Sequence, residues 1–146
     1  MITELREILL AEDDPKDVEL TLAALAEHNL ANAVTVVNDG VQALAYLRRE
    51  GAFAERTSGP PAVVLLDVKM PRMDGLQVLS AMRSDPALRA VPVVMLTSSR
   101  QESDLVESYR LGVNGFVVKP VSFPDFIEAV RAAGFFWALV NVPPPR

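Results

Sequence analysis

Cysteine is absent from this 146-residue sequence, and histidine occurs once, at His28. Without thiols there is no disulfide and no thiolate metal centre, and one imidazole argues against both a histidine-based metal site and a Ser/His/Asp triad. His28 falls near the end of the first expected helix and reads as a surface residue, with no role as a phosphate carrier. A basic surplus is missing too. The 14 Lys and Arg stand against 19 Asp and Glu, a formal charge of −5, with no basic stripe, so direct nucleic-acid binding is not expected. No apolar run reaches the ~18 residues of a membrane span, and Met1 to Glu7 carries charge where a signal peptide would have its apolar centre. The expectation is a soluble, cytoplasmic protein without a membrane segment. Internal repeats are also lacking, and the only biased segment is the proline-rich end, Val142 to Arg146.

What is present is organised around Ala62-Val63-Val64-Leu65-Leu66-Asp67. An apolar run of strand length that stops at a carboxylate reads as a strand buried on both faces, with its acid delivered to the C-terminal edge of a sheet. In open α/β sheets that edge is where ligands bind. Half of the residues are hydrophobic, enough for one domain with a full core.

The other segments repeat the pattern. Ile8 to Ala11 reads as a first buried strand, ending at Glu12-Asp13-Asp14. Asp14 then caps a helix that opens at Pro15 and is expected to run to about Leu30. Capping and dipole complementation account for one of those three acids and leave two over. Val34 to Val37 is β-branched throughout and reads as a second strand, and Asn38-Asp39-Gly40 is the turn into a helix from Val41 to Arg49. A loop of about ten residues leads to the Asp67 strand. A helix from Gly75 to Ser84 follows, with Asp74 as its cap and Asp85-Pro86 as its stop. Val91 to Leu96 is the fourth strand, ending at Thr97, and a more polar helix is expected from Ser103 to Leu111. Gly115 to Val118 is the fifth strand, ending at Lys119-Pro120, and Ser122 caps a last helix that continues into Gly134 and the Phe135-Phe136-Trp137 segment. Five strands alternating with five helices predict a doubly wound α/β fold with a parallel sheet.

Glu12, Asp13, Asp67, Thr97 and Lys119 therefore collect at strand ends. Carboxylates brought together repel one another unless a cation compensates, and oxygen ligands from few carboxylates suit Mg²⁺ better than Zn²⁺ or Ca²⁺. Beside such an ion Asp67 is placed to act as a nucleophile toward a phosphoryl group, with the Thr97 hydroxyl and the Lys119 ammonium completing the clamp. Taken singly, Thr97 reads as a turn residue, Lys119 as a solvated charge and either acid as a cap. Their shared position at the strand ends is what makes the set specific.

Four segments carry a family likeness: Ile8 to Pro15, Leu65 to Pro71 with Asp74-Gly75, Met95 to Ser98, and Val117 to Pro120. Together they resemble the signatures of the receiver domain of two-component response regulators and span most of the chain. The resemblance implies a flavodoxin-like sheet of strand order 2-1-3-4-5, and Asp67 as acceptor of a phosphoryl group from a sensor histidine kinase. It also implies Mg²⁺ held by Glu12, Asp13, Asp67 and the backbone carbonyl of Lys69, and a cis Pro120. Phe116 matches the aromatic that turns inward when the Thr97 hydroxyl moves to the phosphate, a change read out on the face of the fourth helix, fifth strand and fifth helix. Glu12 stands where Asp is the commoner residue, which leaves metal binding in place with altered geometry. The acidic Glu12-Asp13-Asp14-Pro15 run, the long loop before the third strand and the Phe135-Phe136-Trp137 segment resemble the single-domain regulators paired with bacterial phytochromes, so the implied kinase is a bacteriophytochrome.

Two other functions are compatible with a strand-end Asp. An aspartyl-phosphate phosphatase needs a second acid two residues after its nucleophile, and Lys69 occupies that place. A phosphorylation-independent interaction module would not need the full set of acceptor-site residues. The expected protein is thus not an enzyme with a separate substrate, although it promotes its own phosphorylation and dephosphorylation. The expected organisation is a receiver domain over residues 1–133 and an apolar, proline-rich extension over 134–146. The large apolar side chains of that extension exceed what one helix face buries, which predicts a homodimer contact.

Overall fold

The computed structural model describes residues 7–27 and 33–134. Its strands are β1 (Ile8–Ala11), β2 (Val34–Val37), β3 (Val63–Asp67), β4 (Val93–Thr97) and β5 (Gly115–Val118), and its α-helices are α1 (Pro15–Ala26), α2 (Gly40–Arg48), α3 (Gly75–Ser84), α4 (Arg100–Ser108) and α5 (Phe123–Ala133). All strand pairs are parallel, in the order β2-β1-β3-β4-β5. This is the doubly wound order expected above. His28 and residues 135–146 of the expected dimer-forming extension lie outside the described residues.

The continuous apolar strands are explained by burial on both faces. Every residue of β1, β3 and β4 is buried, whereas the edge strands β2 and β5 are partly open. Side-chain alternation divides the core in two. Leu9, Val64, Leu66, Val93 and Met95 face α2, α3 and α4 through Leu44, Leu47, Leu79, Met82 and Val106. Ile8, Leu10, Val63, Leu65, Val94 and Leu96 face α1 and α5 through Leu25, Phe126 and Val130.

Most expected boundaries hold to within one residue, and five differ by more, one of them the end of the fourth helix, at Ser108 rather than Leu111. The first helix stops at Ala26 rather than Leu30, just past its last buried residues, Ala24 and Leu25. The fourth strand starts at Val93, because Pro92 has no N–H to give a ladder and contributes only its carbonyl, to Val64 N–H at 2.9 Å. The helix after it begins three residues early, at Arg100, because the Ser99 hydroxyl caps it by accepting the Glu102 N–H. The last helix does not run through Gly134. It ends at Ala133, with Gly134 in the left-handed conformation (φ 83°) that terminates helices.

The connection from β3 to α3 is drawn tightly against the strand that carries Asp67. Gly75 N–H donates to the Val68 carbonyl at 2.8 Å, and a side chain at Gly75 would collide with the Asp67 carbonyl. Asp74 accepts from Gln77 N–H at 2.9 Å while the Gln77 side chain accepts from Asp74 N–H at 2.9 Å, a reciprocal cap that starts α3 there. Overpacking against backbone costs ~1–3 kcal/mol, more than alanine's helix-propensity advantage of about 1 kcal/mol over glycine. Gly75→Ala should therefore lower the urea midpoint without changing the slope of the transition.

Candidate functional site

Register brings the expected residues together at the C-terminal edge of the sheet. Ala11 pairs with Leu66 and Asp67 with Leu96, so Glu12, one step past β1, lies beside Asp67. Thr97 pairs with Val118, and Lys119 N–H donates to the Thr97 carbonyl at 2.8 Å, which carries the lysine to the same edge. The Lys119–Pro120 peptide is cis, as the resemblance implied.

Carboxylate oxygens of Glu12, Asp13 and Asp67 lie within 4.8 Å of one another. Glu12 is fully buried, Asp67 nearly so, and Asp13 is exposed at the mouth. The Lys119 Nζ reaches Asp67 Oδ1 at 3.2 Å and Glu12 Oε1 at 3.2 Å, and also Asp17 Oδ2 at 3.1 Å. Burial works against the ammonium, but Asp17, Asp67 and Glu12 outweigh it and raise the Lys119 pKa above its ordinary value. Asp17 was not anticipated. It sits in the first turn of α1, where an acid has a ready explanation in the helix dipole, and only the fold turns it toward Lys119.

Two expected residues are held differently from the cluster. The Thr97 hydroxyl, fully buried, is paired with the Ser103 hydroxyl of α4 at 2.8 Å. The Lys69 side chain is largely exposed and its Nζ stands 3.8 Å from Glu102 Oε2. Asp74 serves α3 as its cap, as expected.

The loop after Asp67 has a second anchor that the sequence did not disclose. Arg72, in the left-handed region at φ 66°, donates to Asp39 Oδ2 from Nε at 3.0 Å and Nη2 at 2.7 Å. Asp39 also caps α2 by accepting Gln42 N–H at 2.8 Å. Burial opposes its ionisation, yet the Gln42 N–H and Arg72 more than compensate and lower its pKa. Gly40 beside it packs directly on the backbone of Met73, and a side chain there would not fit.

Phe116 is half-buried on β5 and lines two cavities. One, of about 310 Å³, is lined by Val106, Glu107, Arg110, Leu111 and Val113, and the other, of about 480 Å³, by Arg100, Val118, Asp125 and Ala129. The surface around Phe116 carries Leu105, Tyr109 and Val118 exposed.

The electrostatics have a consequence for stability. Burial first, and the neighbouring Asp67 second, push the Glu12 carboxyl up from 4.5 to about 7, although Asp14 N–H and Lys119 favour its charged form. Between those values the folded chain holds a proton that the unfolded chain releases. The group's stabilising contribution is complete below the unfolded value and lost as pH rises through the folded one. In chelator, the melting temperature should fall from about pH 5 to about pH 8, and Glu12→Gln should flatten that fall. A rise over the same window in scanning calorimetry would contradict the description of the cluster.

The family description that matches the chain is the response regulator receiver domain, over residues 8–131. Response regulator Rcp1 of Synechocystis sp. is 34% identical over 130 residues, which cover 89% of this chain and 87% of Rcp1. Among solved structures, the bacteriophytochrome response regulator RtBRR is 58% identical at a TM-score of 0.87, covering 97% of this chain and 86% of that one. The phosphorylated cyanobacterial phytochrome response regulator RcpA is 36% identical at a TM-score of 0.74, covering 98% of this chain and 100% of that one. The Mn²⁺-bound form of Rcp1 is 33% identical at a TM-score of 0.71, covering 97% and 99% of the two chains.

Proposed function

The chain belongs to the response regulator receiver domain family, and from that premise we propose that Asp67 is its phosphoryl acceptor, charged by a phosphohistidine of a sensor histidine kinase. The carrying observation is the convergence of three acid oxygens within 4.8 Å at the sheet edge, with the Lys119 ammonium 3.2 Å from Asp67. An Asp67 oxygen attacks phosphorus, an O–P bond forms as the P–N bond to the kinase imidazole breaks, and the imidazole leaves with the bonding electrons. Lys119 neutralises charge on the phosphoryl oxygens, and the Thr97 hydroxyl turns from Ser103 to donate to one of them.

Mg²⁺ fits this donor set. Burial first, and Asp67 second, raise the Glu12 pKa to about 7 despite Lys119, and three acid oxygens within 4.8 Å share that one ammonium. Glu12, Asp13, Asp67 and the Lys69 backbone carbonyl would hold the ion, all oxygen donors of the kind Mg²⁺ takes. When bound, the ion supplies electrostatic stabilisation of the phosphoryl oxygens. The Mn²⁺-bound form of Rcp1 supports a divalent cation in a relative.

The proposed kinase is a bacteriophytochrome, a reading supported by the likeness to RtBRR and to RcpA. Light sensing then belongs to the kinase. Signalling runs through Thr97 and Phe116 to the α4, β5 and α5 face, where the cavities lined by Phe116 and the exposed Leu105, Tyr109 and Val118 supply both room and a surface. The setting is the cytoplasm, and no helix among the described residues is long and apolar enough to cross a membrane. The protein turns over no separate substrate; Lys69, exposed and paired with Glu102, gives a phosphatase reading no general acid.

Acetyl phosphate with Mg²⁺, followed by intact mass, tests the acceptor. The wild type should gain one phosphoryl group and Asp67→Asn none, with its circular dichroism unchanged. Full incorporation in the variant would refute the assignment. The homodimer contact of residues 134–146 is part of the same proposal. Sedimentation of the full chain should give a dimer that becomes a monomer when the chain ends at Ala133, and equal masses for the two would remove the extension from the interface.

A further inference from the structure

The Thr97 hydroxyl, which the reading above assigns to the phosphoryl group, already has a partner. Thr97 Oγ1 and Ser103 Oγ are 2.8 Å apart, and both residues are buried. Ser103 Oγ also lies 3.3 Å from the Ser99 carbonyl, one turn back on α4. A carbonyl oxygen only accepts, so the Ser103 proton points to Ser99 and the proton between the two hydroxyls comes from Thr97. The same Ser99 carbonyl receives the Ser103 N–H at 3.1 Å, so Ser103 is fixed in the first turn of α4 by two contacts to one atom. A hydroxyl has a single proton to donate. Thr97 cannot give it to Ser103 and to a phosphoryl oxygen on Asp67 at once.

We infer that Ser103 is a positioning residue for phosphorylation: it holds the Thr97 proton away from the acceptor site, sets how readily the phosphorylated state forms, and makes α4 feel the change. The inference rests on Asp67 being the acceptor. Without a phosphoryl group, the Thr97–Ser103 pair satisfies the buried Thr97 donor. With one, Thr97 transfers its proton's hydrogen bond to the phosphoryl oxygen, and Ser103 keeps its bond to Ser99. Removing the Ser103 oxygen therefore raises the energy of the first state and leaves the second nearly untouched.

Beryllofluoride with Mg²⁺, a mimic of the acyl phosphate, separates the possibilities by titration calorimetry. Ser103→Ala should bind it about 3- to 10-fold more tightly than the wild type, the range expected for one neutral hydrogen bond. Ser103→Thr, which restores the hydroxyl, should return to the wild-type affinity. On a Thr97→Val background Ser103→Ala should have no effect, because the proton in question is gone. If Ser103→Ala does not fold, Ser103→Cys, with a weak sulfur acceptor of similar size, carries the same expectation. A merely structural serine would change the melting temperature and leave these affinities equal. Unchanged or weaker binding by the alanine variant, or an effect that persists without the Thr97 hydroxyl, overturns the inference while the acceptor stands. Failure of the wild type to bind beryllofluoride overturns both.

Discussion

The contact on which this structure most depends is the Lys119 ammonium among the carboxylates of Glu12, Asp17 and Asp67. It joins the last strand to the first strand, the first helix and the central strand. Taking charges out of water costs several kcal/mol each, and mutual attraction recovers that only where the geometry is good. Here one cation is shared by three anions, two of them buried, and burial together with the neighbouring Asp67 pushes the Glu12 carboxyl up to about 7. A site built in this way is short of positive charge. Such a shortage suits an acceptor that takes up a divalent cation and a phosphoryl group together.

Around that charge balance the protein is firm on one side and poised on the other. The loop that follows Asp67 is anchored by Gly75 against the β3 backbone, by Met73 against Gly40, and by Arg72 on Asp39. Those anchors are backbone contacts in close approach and a two-pronged arginine on a buried carboxylate, neither of which yields readily. The α4 side is joined by the Thr97–Ser103 hydroxyl pair, by Glu102 to the Ser98 N–H and the exposed Lys69, and by Val106 in the core. Beyond it Phe116 lines two cavities. A two-state response needs elements with two packed arrangements of similar energy, and the α4 side is where such arrangements are available.

Kinship with RtBRR, RcpA and Rcp1 extends over nearly the whole of each chain. The likeness therefore includes the sheet edge and the α4, β5 and α5 face, not only the strands that any doubly wound protein would share. Function in this fold is carried by the loops at the strand ends, and their chemistry is what distinguishes a phosphoryl acceptor from a nucleotide-binding or hydrolytic relative on the same scaffold.

The sheet order came through the family resemblance, whereas strand identity and the convergence of Glu12, Asp13, Asp67 and Lys119, with Thr97 at an adjoining strand end, were legible in the residues themselves. These two depend on a local pattern: a continuous apolar run marks a strand buried on both faces, and the residue that breaks the run marks its end. The start of α4 lies three residues before the Ser103 expected from the sequence, because the Ser99 hydroxyl caps it by accepting the Glu102 N–H. Asp17, the Arg72 pairing with Asp39 and the role of Ser103 were not legible. Their partners lie 102, 33 and 6 residues away. An acid in a first helical turn, an arginine in a loop and a serine in a helix each have a sufficient local explanation. Sequence alone determined which side chains reach the sheet edge, since that follows from strand period and strand end. Only the tertiary structure decided which of them share a proton or a charge, because hydrogen bonds and ion pairs act over about 3 Å and such distances exist only once crossover helices have brought remote residues together.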